Sequence, residues 1–282
     1  MELIKDVLID TSIDSLKILP FLFLTYLLME YIEHKTNKKL ENTIKKSGKF
    51  GPIIGSILGI IPQCGFSVSA TNLFAGRVIS MGTLISIYLS TSDEMIPILI
   101  SEKAKISVIL AVILIKVTIG MISGIIIDLI LNRRNKQEPS KIDEFCKQEH
   151  CHCEHGILKP AIKHTIEIFI FIFVFSLILN LIIGLIGEDK ISAIMLNKPI
   201  LAPIIACLIG LIPNCASSVI LTELFVSGVI KLSTMIAGLL VNSGLGIIVL
   251  FKLNKNIKEN LKILGIIYAI GVLSGIILEL FI

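Results

Sequence analysis

Long apolar stretches alternate with short polar connections along the chain, and six stretches are long enough to cross a bilayer as helices. They are Ile18–Ile32, Met81–Ile100, Ile106–Leu131, Ile166–Leu185, Leu232–Leu250 and Ile263–Phe281. Each stretch predicts a membrane-spanning helix.

Two further apolar segments are interrupted by a proline and are too short to span. The arm Gly51–Ile61 covers about half of the membrane thickness at ~1.5 Å per residue, and Pro62 and a more polar arm follow it. The segment around Pro213 has the same pattern. Because proline disfavours helical geometry in the residue before it, both segments should turn there. We predict that Gly51–Ile79 and Ala202–Ile230 are re-entrant hairpins.

The chain also matches itself at an offset of about 151 residues. Gly51–Leu131 aligns without gaps on Ala202–Ile282, and GPIIGSILGIIPQCGFSVSATNLF faces APIIACLIGLIPNCASSVILTELF. Roughly a third of the aligned positions are identical, including Pro, Cys, Ser and Thr positions that apolar composition alone would not align. The match indicates two related halves.

Lysine and arginine cluster in three connections, near Lys45, near Arg133 and near Lys258, which the positive-inside rule assigns to the cytoplasm. Three spans plus one non-crossing hairpin per half make an odd number of crossings, so the second half is inverted relative to the first. We predict an all-α polytopic membrane protein of two inverted-topology repeats. Repeat 1 covers residues 1–131, a cytoplasmic loop residues 132–157 and repeat 2 residues 158–282.

Composition supports a membrane protein and excludes several other classes. Hydrophobic residues make up 54% and charged residues 17% of the chain, and mean hydropathy is +0.89. A water-soluble fold could not bury so much apolar surface. The net charge of +4 resides in loops, so nucleic-acid binding is not expected. The sequence contains no phosphate loop, HExxH or GxSxG motif, which argues against an ATPase or hydrolase and favours transport driven by an ion gradient.

The hairpin tips and the intramembrane charges are the candidate substrate site. Broken helices expose backbone groups that can replace the water around an ion, and paired interrupted segments indicate where a transporter binds its substrate. The predicted site residues are Gln63, Cys64, Asn72, Asp93, Glu94, Asn214, Cys215, Glu223 and Asn242. The alternative is that the small and amide residues only satisfy buried turns.

Lys116 lies inside a predicted span and is the candidate charge partner of Asp93 or Glu94 when no cation is bound. A permanent ion pair that only fastens helices is the alternative. Carboxylate and amide oxygens suit a hard or borderline divalent cation such as manganese. Cys64 and Cys215 instead favour a soft metal or trivalent arsenic, although a buried cysteine often acts as a small apolar residue.

The central loop contains a dense His and Cys tract, CKQEHCHCEH. Its candidate ligands for an accessory metal site are Cys146, His150, Cys151, His152, Cys153 and His155. Such composition is typical of metal-binding tracts, and a solvated linker is the alternative. We expect no resident cofactor. The expected partners are the lipid bilayer and a metal ion, and the sequence leaves open whether the chain forms a homo-oligomer.

The motifs IPQCGFSVSATNLF, GTLISIYLSTSDEMIP and IPNCASSVILTELF, together with NSGLG and the central loop, resemble bacterial proteins described as putative manganese transporters or putative ten-segment heavy-metal exporters. The resemblance covers nearly the full length. It implies metal export from the cytoplasm across the bacterial inner membrane. The Pro-x-Cys hairpins are also distantly similar to organoarsenical permeases, but Phe66 stands where such permeases would have a second cysteine.

Overall fold

The computed structural model describes residues 50–60, 64–91, 95–132, 158–186 and 201–281, together with short runs between residues 8 and 27. The helices of the first half are α1 (Gly51–Leu58), α2 (Cys64–Ala75), α3 (Met81–Ser90), α4 (Met95–Ser101) and α5 (Ile106–Asn132). Those of the second half are α6 (Leu158–Ile186), α7 (Leu201–Gly210), α8 (Cys215–Val226), α9 (Leu232–Val241), α10 (Gly246–Leu253) and α11 (Ile257–Phe281). The regular structure of these residues is helical, as predicted.

Four apolar stretches of the described residues are long enough to cross a membrane. They are Met81–Ser101, Ile106–Leu131, Leu232–Leu253 and Ile257–Phe281, and each overlaps a predicted span. The predicted span Ile166–Leu185 lies within α6, whereas Ile18–Ile32 falls mostly outside the described residues. The chain is therefore a multi-pass membrane protein.

Burial separates a central pair of helices from those that face lipid. Every residue of α3 is buried, and so is every residue of α9 after Leu232. The long helices α5 and α11 instead carry exposed apolar side chains on one face, such as Leu114 and Leu273. A continuous helix with an apolar outer face satisfies its own backbone and suits contact with lipid tails. The packed core of the protein is therefore built around α3 and α9.

Helix packing in one half has a counterpart in the other. The helix α1 packs on α3 and α5, and α7 packs on α9 and α11. Across the halves, α2 packs on α10 and α8 packs on α4. The two core helices α3 and α9 also pack on each other. Each of these contacts is thus matched by a contact between the corresponding helices of the opposite halves.

The helix breaks predicted at the two prolines are present. In the first half, α1 ends at Leu58, and α2 begins at Cys64. In the second half, α7 ends at Gly210, a turn follows at residues 211–214, and α8 begins at Cys215. The cysteines of the two hairpin motifs therefore occupy equivalent positions, each at the first residue of a helix.

The two stretches Met81–Ile100 and Leu232–Leu250, each predicted as one membrane-spanning helix, are long enough to span, but the structure divides each of them into two helices. The helix α3 ends at Ser90, and Thr91 leaves helical geometry with a ψ of 129°. The Thr91 hydroxyl donates to Ile87 O at 2.7 Å, beside the backbone N–H of Thr91, which donates to the same oxygen at 2.9 Å.

The second interruption separates α9 from α10 at residues 242–245. The Gly244 N–H donates to Asn242 Oδ1 at 2.9 Å, and Gly244 has a φ of 54°. Asparagine stabilises turns by accepting a hydrogen bond two residues further along, and glycine adopts positive φ without steric cost. Local turn chemistry therefore breaks a helix that hydropathy alone would continue.

Small residues allow the core helices to approach one another closely. A methyl group on Gly124 of α5 would lie 2.6 Å from Gly82 O and 2.9 Å from Pro52 Cβ. A methyl group on Gly275 of α11 would lie 2.5 Å from Ala237 Cβ. In membranes, where helix association relies on van der Waals contact, small residues at such positions permit tight packing.

Carboxylates near the ends of α5 and α11 cap the core helices. Asp128 accepts hydrogen bonds from Ser80 Oγ at 2.6 Å and from Gly82 N at 2.9 Å, at the start of α3. Glu279 accepts from Lys231 Nζ at 2.6 Å and from Ser233 Oγ at the start of α9. A carboxylate at a helix N-terminus satisfies N–H groups that lack helical partners and interacts favourably with the helix dipole.

An ion pair joins the two halves. Arg77, just after α2, donates from both terminal guanidinium nitrogens to the carboxylate of Glu259 on α11, at 2.8 Å each. Its guanidinium also lies 5.2 Å from the ring centroid of Phe74. Arg77 has a left-handed φ of 57°, and Gly228, its counterpart in the self-match, has a φ of 75°.

We predict that Gly124→Ala destabilises the protein by ~1–3 kcal/mol, because the added methyl group meets a backbone carbonyl and a proline ring that cannot move independently. Gly265→Ala is the matched control, since a methyl group there meets nothing within 4 Å. That control should be neutral or stabilising by up to ~1 kcal/mol. Thermal unfolding in detergent would compare the two variants, and equal midpoints would contradict this packing.

Candidate functional site

The two helix interruptions lie in the core and are linked by a buried lysine. Lys116 of α5 is 1% exposed. Its ammonium group donates to Thr91 O, at the first residue beyond α3, and to Leu239 O in the last turn of α9 at 2.8 Å. Among the residues that the structure describes, Lys116 is the only buried side chain with a formal charge.

Both carbonyls that bind Lys116 are at C-terminal ends of interrupted helices. The last carbonyl oxygens of a helix lack helical partners, and the helix dipole gives this end about half a negative charge. A single ammonium group therefore satisfies oxygens that the interruptions release. The site is one at which backbone oxygens of both halves converge on a positive charge.

Unpaired polar atoms lie in the same interruption. Asn242 and Ser243 are 2% and 1% exposed, and they follow Leu239 by three and four residues. Within the described part of the chain, Asn242 Nδ2 and Ser243 Oγ have no hydrogen-bond partner. An unsatisfied buried polar group costs ~1–3 kcal/mol, so each of these atoms needs a partner from outside the described residues, from water or from a ligand.

Asn72, a predicted ligand, is buried on α2. Its Oδ1 accepts a hydrogen bond from the Tyr26 hydroxyl at 3.3 Å, and its Nδ2 has no partner among the residues described. Asn72 therefore resembles Asn242, because each is a buried amide with one satisfied and one unsatisfied side.

Hydrogen bonds from Thr71 connect α2 to both interrupted stretches. Thr71 Oγ1 lies 2.5 Å from the Tyr88 hydroxyl of α3 and 3.2 Å from Gly246 O of α10. Thr71 Oγ1 also lies 2.7 Å from Ser67 O, which is the nearer of its two carbonyl acceptors. Because the Thr71 hydroxyl has a single proton and donates it to a carbonyl, we assign Tyr88 as the donor to Thr71. A methyl group on Gly246 would lie 2.9 Å from the Tyr88 ring, and glycine permits this contact.

For the other predicted site residues, the structure gives few contacts or does not describe the side chain. Asn214 is buried at the N-cap of α8, and its side chain makes no capping hydrogen bond. Glu223 of α8 is exposed, in contrast to its buried neighbour Thr222. The side chains of Cys64 and Cys215 are outside the described set, as are Gln63, Asp93, Glu94 and the tract Cys146–His155. Their roles in metal binding stay predictions.

The described residues hold no group of three or more His, Cys, Asp or Glu side chains that could bind a metal ion. What the structure does bring together is Lys116 and two helix-end carbonyls, and the buried polar atoms of Asn242 and Ser243 follow one of these carbonyls within four residues of the chain. Sequence reasoning missed Thr91 and Ser243 as part of this centre. The available signal was the run of small polar residues within apolar stretches, at STS and NSG.

We predict that Asn242→Ala destabilises the protein by ~1–3 kcal/mol, because the buried Gly244 N–H loses its acceptor. Asn256→Ala is the control, since Asn256 makes a similar local contact, accepting from Glu259 N at 3.3 Å, in an exposed position. The control should lose no more than ~1 kcal/mol. Thermal unfolding of both variants would measure the difference, and an Asn242→Ala protein as stable as the control would contradict the assigned turn.

The chain matches the family described as putative ten-transmembrane (10TM) heavy-metal exporters, over residues 3–189 and 129–258. The two matched regions overlap and together extend over most of the chain. Comparisons with curated proteins and with solved structures give no match. Because the match extends over more than half of the chain and the described helices are apolar, this chain belongs to the family of putative ten-transmembrane heavy-metal exporters.

Proposed function

We propose that the protein is a secondary-active exporter of a divalent metal ion, with manganese as the preferred substrate, in the bacterial inner membrane. The observation that carries the proposal is the binding of the Lys116 ammonium group by helix-end carbonyls of both halves. A centre that holds one cation with backbone oxygens has the chemistry to hold another. An ion gradient or the membrane potential supplies the energy.

The choice of manganese depends on the donors that the sequence supplies. Asp93 and Glu94 offer carboxylate oxygens, and the amide oxygens of Asn72 and Asn242 each keep one lone pair beside the hydrogen bond that they accept. Such oxygens suit a hard or borderline divalent ion. Carboxylates also offset the charge of an ion that enters a low-dielectric interior. The His and Cys tract Cys146–His155 is proposed to collect cytoplasmic metal without forming part of the transport site.

A soft-metalloid substrate is the second candidate, and one observation favours it. Cys64 and Cys215 occupy equivalent positions at the first residues of α2 and α8. If the two hairpin tips face each other, the two sulfurs could bind trivalent arsenic or a soft metal ion. An ion-coupled carrier of a small organic solute has no such supporting contact in the described residues.

We further propose that the two halves are inverted repeats and that each proline-broken pair is a re-entrant hairpin. The helices α2, α3, α4 and α5 begin 151 residues before α8, α9, α10 and α11. The exchanged contacts between α2 and α10 and between α8 and α4 also fit two halves related by an approximate two-fold axis. Inverted halves with interrupted segments suit alternating access to a central site.

We predict that cysteines introduced at Lys198, before the second hairpin, and at Ser227, near the end of its second arm, react with an impermeant thiol reagent from the outer face. A cysteine at Lys255 is the control and should react only from the cytoplasmic face, because its loop is rich in lysine. The reactions are measured in a background without native cysteines. Reaction at Lys198 and Ser227 from opposite faces would show that the segment crosses the membrane.

We predict that Asp93→Asn or Glu223→Gln reduces metal efflux to background, whereas Cys64→Ser with Cys215→Ser reduces it only partly. A divalent ion in a low-dielectric site needs nearby negative charge, and a protonated thiol supplies little. Uptake into inverted membrane vesicles would be measured for manganese, zinc, cadmium and methylarsenite.

The matched control is Glu102→Gln, which neutralises an exposed carboxylate in the connection after α4 and should transport normally. Equal amounts of inserted protein are required for each variant. If the double serine variant is inactive while Asp93→Asn still exports metal, the transport site is a sulfur site and the second candidate replaces the first.

A further inference from the structure

We propose that a cavity between α6, α10 and the turn before α8 binds an anionic phospholipid, with an acyl chain in the cavity and the headgroup phosphate on Lys252. The inference goes beyond the proposed function and does not depend on which ion the protein transports. None of the residues that carry it belongs to the candidate transport site.

The cavity is apolar along its length. Its volume is about 440 Å³, which is within the range of small-ligand sites. The described residues that line it are Phe171 of α6, Pro213 of the turn before α8, and Ile247, Ile248, Phe251 and Lys252 of α10. Only the last of these has a polar side chain. Such a lining suits a hydrocarbon chain and offers few partners to a soluble polar ligand.

The cavity lies where a lipid can reach it. The helix α10 is the second part of the apolar stretch Leu232–Leu253, which is long enough to cross a membrane. Ile247 and Ile248 are buried, whereas Phe251 is 41% exposed and Lys252 is exposed. The cavity therefore extends from the packed interior to the surface, and its charged residue is at the end of the span, where lipid headgroups lie.

Contacts with α6 hold the Lys252 ammonium group across the gap between the two helices. Lys252 Nζ lies 4.6 Å from the ring centroid of Phe171 and donates to Glu167 O at 3.4 Å. An ammonium group has three N–H donors, so it can also donate to a phosphate oxygen. A positive charge at the mouth of an apolar cavity matches a ligand with an apolar tail and an anionic head.

The charged side chains closest in sequence to this contact favour an anion. Lys163 lies one turn before Glu167 on α6, and Lys255 follows α10; all three side chains are exposed. The carboxylate of Glu167 opposes an anionic headgroup, but with Lys252 the lysines outnumber it by three to one. Basic pockets between membrane helices bind anionic lipid headgroups. The charge therefore favours an anionic lipid over a zwitterionic one.

The bound lipid acts on the turn of the second proline-broken segment. Pro213 lines the cavity and lies between the end of α7 and the start of α8. An acyl chain in the cavity buries apolar surface of this turn together with that of α6 and α10, which stabilises their packing. The position of the turn thus depends on the lipid composition of the membrane.

The test uses tryptophan fluorescence, because the chain contains no tryptophan of its own. The reporters are Phe251→Trp and Phe171→Trp, on α10 and α6, and the second keeps an aromatic ring beneath Lys252. Each full-length variant is reconstituted into phosphatidylcholine bilayers with increasing amounts of phosphatidylglycerol or phosphatidylcholine brominated on the acyl chains. Brominated phosphatidylglycerol should quench both reporters at an about fivefold lower mole fraction.

Two charge variants and a third reporter serve as controls. Lys252→Gln should remove the preference at both cavity reporters, because the headgroup contact is lost. Lys255→Gln removes an equal charge from the exposed connection after α10 and should keep the preference. Leu273→Trp, at a position 60% exposed on the lipid-facing helix α11, should be quenched equally by the two lipids.

Four outcomes would overturn the proposal. Equal quenching of the cavity reporters by both lipids would show that the cavity does not recognise the headgroup charge. Absence of quenching by either lipid would show that protein, from this chain or a second copy, covers the cavity. Loss of the preference in Lys255→Gln as complete as in Lys252→Gln would show a general basic surface. Loss of the preference on addition of soluble glycerol phosphate would identify a site for soluble phosphates.

Discussion

A carbonyl oxygen that loses its helical hydrogen bond inside a bilayer needs another donor from the protein, because lipid tails offer none. This constraint determines where the helices can be interrupted. The breaks after Ser90 and Val241 occur in helices enclosed by protein, where Lys116 satisfies two of the released oxygens. The lipid-facing helices α5 and α11 run without a break for 27 and 25 residues. Among the described helices, these two interruptions thus lie in the enclosed core and not in the lipid-facing helices α5 and α11.

Enclosing the interrupted helices requires neighbours that come very close. Glycine at positions 82, 124 and 275 allows backbones to touch, and Asp128 and Glu279 satisfy the N–H and side-chain donors at the starts of α3 and α9. Each core helix is therefore fixed at its N-terminal end by a carboxylate and is released from helical geometry at its C-terminal end. The N-terminal ends of α3 and α9 are therefore held by hydrogen bonds, while their C-terminal ends leave carbonyl oxygens that other groups can bind.

Much of the fold could be predicted from the sequence, because hydropathy directly determines which segments enter the membrane. The spans and the helix breaks near Pro62 and Pro213 follow from length and from proline geometry. The interruptions at Thr91 and Gly244 were not predicted, since hydropathy averaged over a whole span does not register the short polar runs STS and NSG that lie between apolar segments. Lys116 was identifiable as an unusual buried charge. Its acceptors were not, because Leu239 O is a backbone atom 123 residues away.

Arg77 of the first half and Glu259 of the second half form an ion pair whose two residues have no equivalents in the opposite halves. Arg77 adopts a left-handed backbone conformation, which costs ~1 kcal/mol or more for a residue with a side chain. Its counterpart in the self-match is Gly228, which adopts positive φ without this cost. The position 151 residues before Glu259 is Val108, which cannot bind a guanidinium group. A dimer of two first halves would contain the strained arginine without its carboxylate, and a dimer of two second halves would contain the carboxylate without its arginine. The ion pair between Arg77 and Glu259 therefore forms only between a first half and a second half, and two copies of either half alone could not reproduce it.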